Sequence, residues 1–202
     1  MDMRSILSSP SIYRLFSTIV GQGPARDIYV EKLIRPNPGE RILDIGCGPG
    51  DIVEHLPENI DYVGFDMSQV YIDAAVKRFG YRATFMRRYL NDEVLRELEP
   101  FDVVIAIGVI HHLNDQEADS LFKVASAALK PGGRVLTVDP VFYTGQPLLE
   151  RWLVSKDRGE YVRYDERYPK LIPSDFSTVR TTKYKGLLRI PYSLFFMECY
   201  KE

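Results

Sequence analysis

Residues 41–50 read Arg-Ile-Leu-Asp-Ile-Gly-Cys-Gly-Pro-Gly, a short apolar run that leads directly into three glycines at alternate positions. Glycines at this spacing let the backbone turn sharply and let a ligand approach it closely. The stretch therefore predicts a strand, a tight loop and a helix whose first N–H groups are free. Asp44 stands at the carboxyl end of that strand, which is where open α/β sheets bind their ligands.

The spacing of the glycines separates this loop from the usual dinucleotide loop. It is G-x-G-x-G rather than G-x-G-x-x-G, and Pro49 has no N–H to donate to a phosphate. An acidic residue at position 44 also suits a pyrophosphate poorly. Both features favour a ligand with a positively charged ammonium group. The alternative is a purely structural turn in which Asp44 caps the following helix.

The remainder of the chain alternates short apolar runs with helix-like segments, the pattern of βαβ units and a parallel sheet. Strands are predicted at 41–45, 62–65, 84–87, 102–107 and 134–138. Helices are predicted at 11–20, 25–34, 52–55, 70–79, 92–98, 116–129 and 147–156. Two further strands, 178–184 and 192–199, follow one another without a helix and predict a terminal antiparallel hairpin, with the lysine-bearing 178–184 at the edge. The fold class is α/β.

Length and composition predict one globular domain over residues 1–202. The chain is 45% hydrophobic and 27% charged, and its net charge of −2 provides no overall attraction to nucleic acid or to an anionic membrane. No run approaches the roughly 20 apolar residues of a membrane span. Two cysteines cannot build a disulfide framework, and the first residues lack the apolar core of a secretory signal. We expect a cytoplasmic protein without a membrane partner.

A second carboxylate points to a nucleoside. Asp66 follows the strand at 62–65 and lies 20 residues after Gly46, where this topology places a carboxylate that accepts hydrogen bonds from ribose hydroxyls. Met67 beside it is expected to pack on an adenine face. The alternative is that Asp66 is only a turn residue ahead of Ser68, which would cap the next helix.

Four stretches together resemble the class I S-adenosylmethionine-dependent methyltransferases, specifically the members that act on small molecules. They are LDIGCGPG (43–50), YVGFDMS (62–68), FDVVIAIGVIHHLND (101–115) and LKPGGRVLTVDP (129–140). The resemblance implies S-adenosyl-L-methionine as cofactor and S-adenosyl-L-homocysteine as its product. It also implies a Rossmann-like, seven-stranded sheet in the order 3-2-1-4-5-7-6, with strand 7 antiparallel and helices on both faces.

Within that single domain we expect an N-terminal helical lid (1–39), a cofactor-binding core (40–140), and a substrate-side helix and loop followed by the hairpin (141–202). Many relatives carry a Gly-Asp pair after the third strand, whereas residues 86–91 read Met-Arg-Arg-Tyr-Leu-Asn. Adenine recognition is therefore expected at Tyr89, Leu90 or Asn91, and the alternative is recognition through the backbone alone. The residues expected to bind the cofactor are Tyr13, Asp44, Gly46, Cys47, Gly48, Asp66, Met67, Leu90 and Ile107. Of these, Cys47 is expected to be a small packing residue of the loop and not a nucleophile.

The chemistry is expected at the end of the fourth strand, where His111 and His112 follow one another. Histidine titrates near neutrality and suits the removal of a proton from a hydroxyl or an acidic carbon. Adjacent side chains diverge, and we expect His111 to face the pocket as general base and His112 to pack beneath the following helix. Adjacent histidines without a nearby third ligand do not predict a metal site.

Substrate residues are expected in the charged, aromatic segment 156–163 and in the hairpin. Arg158 and Arg163 are candidates to bind a carboxylate or phosphate on the acceptor. Tyr192 is a third candidate, on its position alone. A segment with both signs of charge mixed is equally typical of a solvated loop.

The leading function is methyl transfer to a small or medium-sized acceptor by in-line displacement. One alternative is a regulator that binds the cofactor or its product without turnover. Nucleic-acid methylation is a second alternative, opposed by the slight negative charge and by Ile-Gly-Val-Ile at 107–110, where an Asn/Asp-Pro-Pro-Tyr/Phe motif would stand. The glycine spacing and the terminal hairpin argue against a nicotinamide oxidoreductase.

Overall fold

A computed structural model describes residues 18–202. The strands are β1 (Arg41–Ile45), β2 (Asp61–Phe65), β3 (Ala83–Met86), β4 (Phe101–Ile107), β5 (Leu129–Phe142), β6 (Arg163–Tyr164), β7 (Phe176–Tyr184) and β8 (Leu194–Lys201). They form one sheet in the order β3-β2-β1-β4-β5-β8-β7, with β6 paired to β5 beside this path. Strands β1 to β5 are parallel, whereas β8 runs antiparallel to both β5 and β7.

This topology confirms the predicted α/β, Rossmann-like fold and its strand order. The structure differs in one detail, because it adds β6 as an eighth strand of two residues. Strand β5 extends to Phe142, well beyond the predicted end at residue 138, and its last residues, Val141 and Phe142, pair with β6. The extension leads the chain over the carboxyl edge of the sheet, where the predicted substrate segment begins.

The helices are α1 (Gln22–Ile28), which continues as a π-helical turn (Tyr29–Ile34), α2 (Gln69–Phe79), α3 (Asp92–Leu95), α4 (Asp115–Ala128) and α5 (Leu148–Val154). Single 3-10 turns cover Asp51–His55, Ile110–His112 and Tyr168–Leu171. The predicted helix at 92–98 is therefore only one turn long. Most of the predicted helix at 11–20, including Tyr13, lies outside the described residues.

Apolar clusters cover both faces of the sheet. Val104 packs with Phe122 of α4 on one face, and its neighbour Ile105 packs with Ile72 of α2 and Leu33 on the other. Alternate residues of a strand point to opposite faces, so a strand covered on both sides is apolar at successive positions. Helix α1 and the π-helical turn after it contribute the fully buried Ala25 and Ile34 to the cluster that contains Ile105. No helix within residues 18–202 combines the length and the apolar character needed to cross a membrane.

Candidate functional site

A cavity of about 310 Å³ lies at the carboxyl ends of β1, β2 and β4. Strand β1 has β2 on one side and β4 on the other, so the chain leaves these strand ends in opposite directions and a crevice opens between them. The volume is at the lower end of the range for small-molecule sites, roughly 300–1,000 Å³. The cavity brings together the predicted site residues Asp44, Gly46, Cys47, Gly48, Asp66, Ile107, His112 and Arg158.

The glycine loop owes its shape to backbone conformations that other residues rarely adopt. Gly46 and Gly48 have φ angles of 76° and 54°. A methyl group added at Gly46 would also lie 2.7 Å from the Val109 side chain, whereas the position above Gly48 has no described atom within 4 Å. The N–H groups of Gly46 and Cys47 donate to the Phe65 carbonyl at 2.8 and 3.0 Å, which fixes the loop against β2. The backbone at Gly48 is therefore open to a ligand.

Asp44 is a buried carboxylate with one unpaired oxygen. It is 3% exposed, and its Oδ2 accepts a hydrogen bond of 2.6 Å from the Tyr62 hydroxyl. No group among residues 18–202 donates to Oδ1. Burial raises the pKa of Asp44 to about 7, and the charge of Asp66 adds to the increase. A cation in the cavity would satisfy the unpaired oxygen and stabilise the ionised form.

Asp66 holds the turn after β2, and its binding to a ribose stays a prediction. Its Oδ2 accepts the Gly48 N–H at 2.9 Å, and its Oδ1 accepts the Ser68 N–H at 2.8 Å. Ser68 in turn caps α2 through the Tyr71 N–H. Each carboxylate oxygen keeps a second lone pair, and Asp66 lines the cavity while it holds the turn.

The two histidines occupy the opposite places from those predicted. His112 is exposed and lines the cavity, whereas His111 is 5% exposed and lies below the surface. His111 points inward because two carboxylates contact its ring. The Nδ1 of His111 lies 2.8 Å from Asp139 Oδ1, and its Nε2 lies 3.1 Å from Asp157 Oδ1. The prediction that His111 faces the pocket as base is therefore wrong, because both of its nitrogens are engaged.

The same contacts give the two rings opposite charge states at neutral pH. Burial alone would lower the pKa of His111, but the hydrogen bonds and charges of Asp139 and Asp157 outweigh it and raise that pKa to about 9. Despite burial, His111 and further donors hold the pKa of Asp157 well below its ordinary value. For His112, burial and the adjacent charge of His111 lower the pKa to about 4. His111 is thus an imidazolium and His112 a neutral ring.

Two residues predicted to contact the cofactor do not line the cavity. Leu90 is buried in the apolar cluster that contains Val94, so its side chain belongs to the core. A contact between the Leu90 backbone and the cofactor stays a prediction. Met67 is 58% exposed outside the cavity lining.

Two of the three predicted substrate residues bind other parts of this chain and do not line the cavity. The guanidinium of Arg163 donates to the Ile110 and Leu113 carbonyls at 3.1 and 2.7 Å and pairs with Asp115 at 2.7 Å. The Tyr192 hydroxyl donates to Asp157 Oδ2 at 2.5 Å. Of the three, only Arg158 lines the cavity.

Sequence reasoning missed the acidic partners of this site. Asp139 lies within the quoted stretch 129–140, and Asp157 lies in the charged segment 156–163, but nothing local to either residue indicates a histidine partner. It also missed Arg26 and Asp51, which line the cavity and form an ion pair at 3.2 Å. Among residues 18–202, no three histidine, cysteine or acidic side chains come together as metal ligands.

Comparison with known proteins identifies the family. A family model described as a methyltransferase domain matches residues 42–133, the segment that holds the glycine loop, Asp66 and both histidines. Over 144 residues the chain is 31% identical to phosphoethanolamine N-methyltransferase of Triticum aestivum, a match that covers 69% of this chain and 28% of that protein. The chain belongs to the class I S-adenosylmethionine-dependent methyltransferases.

Other proteins that are similar to this chain in sequence or in fold are named for different acceptors. The ubiquinone biosynthesis O-methyltransferase of Coxiella burnetii is 30% identical over 115 residues, which cover 55% of this chain and 48% of that enzyme. The magnesium protoporphyrin IX methyltransferase of Synechocystis PCC 6803, solved with bound S-adenosylhomocysteine, has the same fold, with a TM-score of 0.70, 18% identity, and coverage of 99% of this chain and 98% of that one. The chain spans under a third of the length of the wheat relative and about half of that of the Coxiella relative.

The bridge at His111 predicts a loss of stability at alkaline pH. A histidine whose pKa is raised on folding contributes stability that is fully present below its unfolded pKa of about 6.5 and is lost as pH rises through its folded pKa, here about 9. At about 1.4 kcal/mol per pKa unit, the contribution is roughly 3 kcal/mol. We expect the melting temperature of the methyltransferase to fall across this window.

The measurement is thermal unfolding between pH 6 and pH 10, for the unmodified protein and for His111→Asn. The variant should lack this alkaline decline. His55→Asn is the matched control, because His55 pairs with the exposed Asp27 away from this cluster. Parallel profiles for His111→Asn and the unmodified protein would contradict the assignment of charge to His111.

Proposed function

We propose that this protein binds S-adenosyl-L-methionine in the cavity and transfers a methyl group to a small-molecule acceptor. The observation that carries the proposal is the buried Asp44, whose Oδ1 has no donor among residues 18–202. An ammonium group is the kind of ligand that such an oxygen requires, because a buried carboxylate without a partner is costly. Asp66 lines the same cavity as a second acceptor, as a nucleoside with an amino-acid tail would need.

The ammonium and the ribose of the cofactor each have a group of this chain to meet them. Asp44 holds the methionyl ammonium, together with the backbone carbonyl of Ile107. Asp66 accepts hydrogen bonds from the ribose hydroxyls, and the open backbone at Gly48 permits close contact. Burial raises the pKa of the Cys47 thiol, which keeps it protonated and leaves it a packing role. The assignments of Met67 to adenine and of Tyr13 to the lid stay predictions.

When bound, the cofactor supplies an electrophilic methyl group on a positively charged sulfur. The protein's contribution is alignment, because an in-line displacement is accelerated chiefly by holding the acceptor in a near-attack position. His112 lines the cavity as a neutral ring, so its free nitrogen can accept a hydrogen bond from the acceptor's N–H or O–H. The ring then takes the proton as the acceptor becomes more acidic during transfer.

Arg158 indicates the chemical class of the acceptor. Its half-buried side chain lines the cavity and makes no hydrogen bond or ion pair with any of residues 18–202. Arg26 in the same cavity, by contrast, is paired with Asp51. An unpaired guanidinium favours a phosphate or carboxylate, which it binds through two parallel N–H groups. The wheat relative is named for phosphoethanolamine, which carries both a phosphate and a nucleophilic amine.

The proposal also includes a cytoplasmic location and small-molecule rather than nucleic-acid substrates. Both cysteines, Cys47 and Cys199, are unpaired and buried, which fits a reducing compartment. The net charge of −2 gives no general attraction to a polyanion.

The first test is ligand binding. S-adenosyl-L-homocysteine should raise the melting temperature of the purified protein, and NAD should not. Asp66→Asn should weaken the binding of S-adenosyl-L-homocysteine by about 10- to 100-fold, because a hydrogen bond to a charged group contributes about 1.5–3 kcal/mol. Asp73→Asn on the exposed side of α2 is the control. Stabilisation by NAD equal to that by S-adenosyl-L-homocysteine would contradict the assignment of the cofactor.

The second test is the pH dependence of that binding. Because the pKa of Asp44 is raised to about 7, the carboxylate that attracts the ammonium is lost as pH falls through neutrality. We expect the affinity for S-adenosyl-L-homocysteine to decline from pH 8 to pH 6, and Asp44→Asn to bind weakly without this decline.

The substitution Asp44→Asn should affect folding stability in the opposite direction from ligand binding. A carboxyl pKa raised on folding means that ionisation of Asp44 disfavours the folded state above pH 4, so the ligand-free Asp44→Asn protein should be at least as stable as the unmodified protein at pH 8. Calorimetric titration and thermal unfolding measure the two effects. A pH-independent affinity of the unmodified protein would show that Asp44 does not meet a cation.

The third test concerns the acceptor. Arg158→Ala should lower kcat/KM for phosphoethanolamine by about 10- to 100-fold, as expected for the loss of a charge-assisted contact, and should leave the much weaker turnover of ethanolamine unchanged. Arg180→Ala, on the exposed edge strand β7, is the matched control. Equal losses for both acceptors would exclude Arg158 as the anion-binding group. Binding of the cofactor with no turnover across a panel of phosphate- and carboxylate-bearing acceptors would favour a regulator instead.

A further inference from the structure

Residues 157–163, here termed the clasp, are fastened to the 3-10 turn that carries the two histidines. The Tyr161 N–H donates to the His111 carbonyl at 2.9 Å. The Arg163 guanidinium donates to the carbonyls of Ile110 and Leu113 on either side of it. Gly159 packs against the His111 ring so closely that an added methyl group would overlap it. The clasp is thus held on the turn along its whole length.

His111 is the centre of this attachment. Its backbone N–H and its Nδ1 both contact Asp139 Oδ1 at the end of β5, at 3.1 and 2.8 Å. Its Nε2 contacts Asp157 Oδ1 in the clasp at 3.1 Å. Asp157 is itself oriented by the Gly159 N–H at 2.8 Å and by the Tyr192 hydroxyl at 2.5 Å. One ring therefore joins the end of β5 to the clasp.

The contacts between the clasp and the turn determine the positions of two side chains that line the cavity. Arg158 directly follows Asp157, and His112 directly follows His111, and both line the cavity. A displacement of Asp157 from His111 would move the backbone that carries Arg158. The bridge itself contributes no atom to the cavity lining. Its consequence for function lies in the position of Arg158.

We propose that His111 is a positioning residue, whose bridge between Asp139 and Asp157 holds the clasp closed and so sets where Arg158 meets the acceptor. The acceptor half of this inference rests on the proposed function, whereas closure of the clasp does not. Removal of one member of a buried, hydrogen-bonded charge pair leaves the other charge uncompensated, so loss of either His111 or Asp157 should open the segment locally.

The first experiment measures closure without any ligand. Amide hydrogen exchange is compared among the unmodified protein, His111→Asn, Asp157→Asn and the control His55→Asn, whose histidine–aspartate pair lies elsewhere. Exchange at Gly159 and Tyr161 should increase at least tenfold in the first two variants, while amides of β4 and β5 and the control remain unchanged.

Unchanged protection of residues 157–163 in a folded variant would overturn the proposal. If His111→Asn does not fold, hydrogen exchange of residues 157–163 in Asp157→Asn and Tyr192→Phe tests the proposal instead, because both substitutions preserve side-chain volume and leave His111 in place.

The second experiment separates positioning from general stabilisation, with phosphoethanolamine as the probe. Asp157→Asn and Arg158→Ala should each raise the KM for the probe about tenfold or more, with kcat within about threefold of the unmodified value and unchanged affinity for S-adenosyl-L-homocysteine. The double variant should be no worse than Arg158→Ala alone, because both substitutions remove one contact.

Additive effects in this double-mutant cycle would overturn a positioning role. If the unmodified protein does not methylate phosphoethanolamine, the proposed acceptor fails, and the exchange experiment still decides whether His111 closes the clasp.

Discussion

The parallel pairing of β1 with β4, next to that of β1 with β2, is the constraint on which the site depends. Asp44 stands opposite Ile105 of β4 and Gly64 of β2, so the residues that follow all three strands emerge at one edge. The chain leaves β1 and β4 in opposite directions, and the crevice between the two exits is the cavity. The glycine loop, Asp66 and His112 meet there because of this register, although they are far apart in sequence.

The lining of this cavity carries both signs of charge. The carboxylates of Asp44 and Asp66 would attract a positively charged ligand to the glycine loop and the turn after β2. Arg158, which pairs with none of residues 18–202, would attract an anion instead. Under the proposed function, a cofactor that bears an ammonium and an acceptor that bears an anion would therefore meet different side chains of one cavity, as alignment for a two-substrate displacement requires.

The predictions from sequence succeeded where the signal is local and failed where it is not. The glycine loop and the βαβ alternation depend on residues close in the chain, so the parallel sheet and half of the residues that line the cavity could be predicted, and the family resemblance added the strand order. The orientation of His111 depends on Asp139 and Asp157, which only the fold brings to it. The environments of the Leu90 and Arg163 side chains could not be predicted for the same reason, because they are a core cluster and a set of backbone carbonyls contributed by other elements.

Adjacent histidines with opposite charge states follow from a single arrangement of carboxylates. Asp139 and Asp157 draw His111 inward and keep it protonated, and this buried positive charge then helps to lower the pKa of His112. A neutral ring in the cavity can accept a proton, whereas an imidazolium there would repel a positively charged ligand. Burial is the larger cause of the lowered pKa of His112, and the bridge that secures the clasp adds to it. Position and chemistry at this edge of the sheet are therefore coupled through His111.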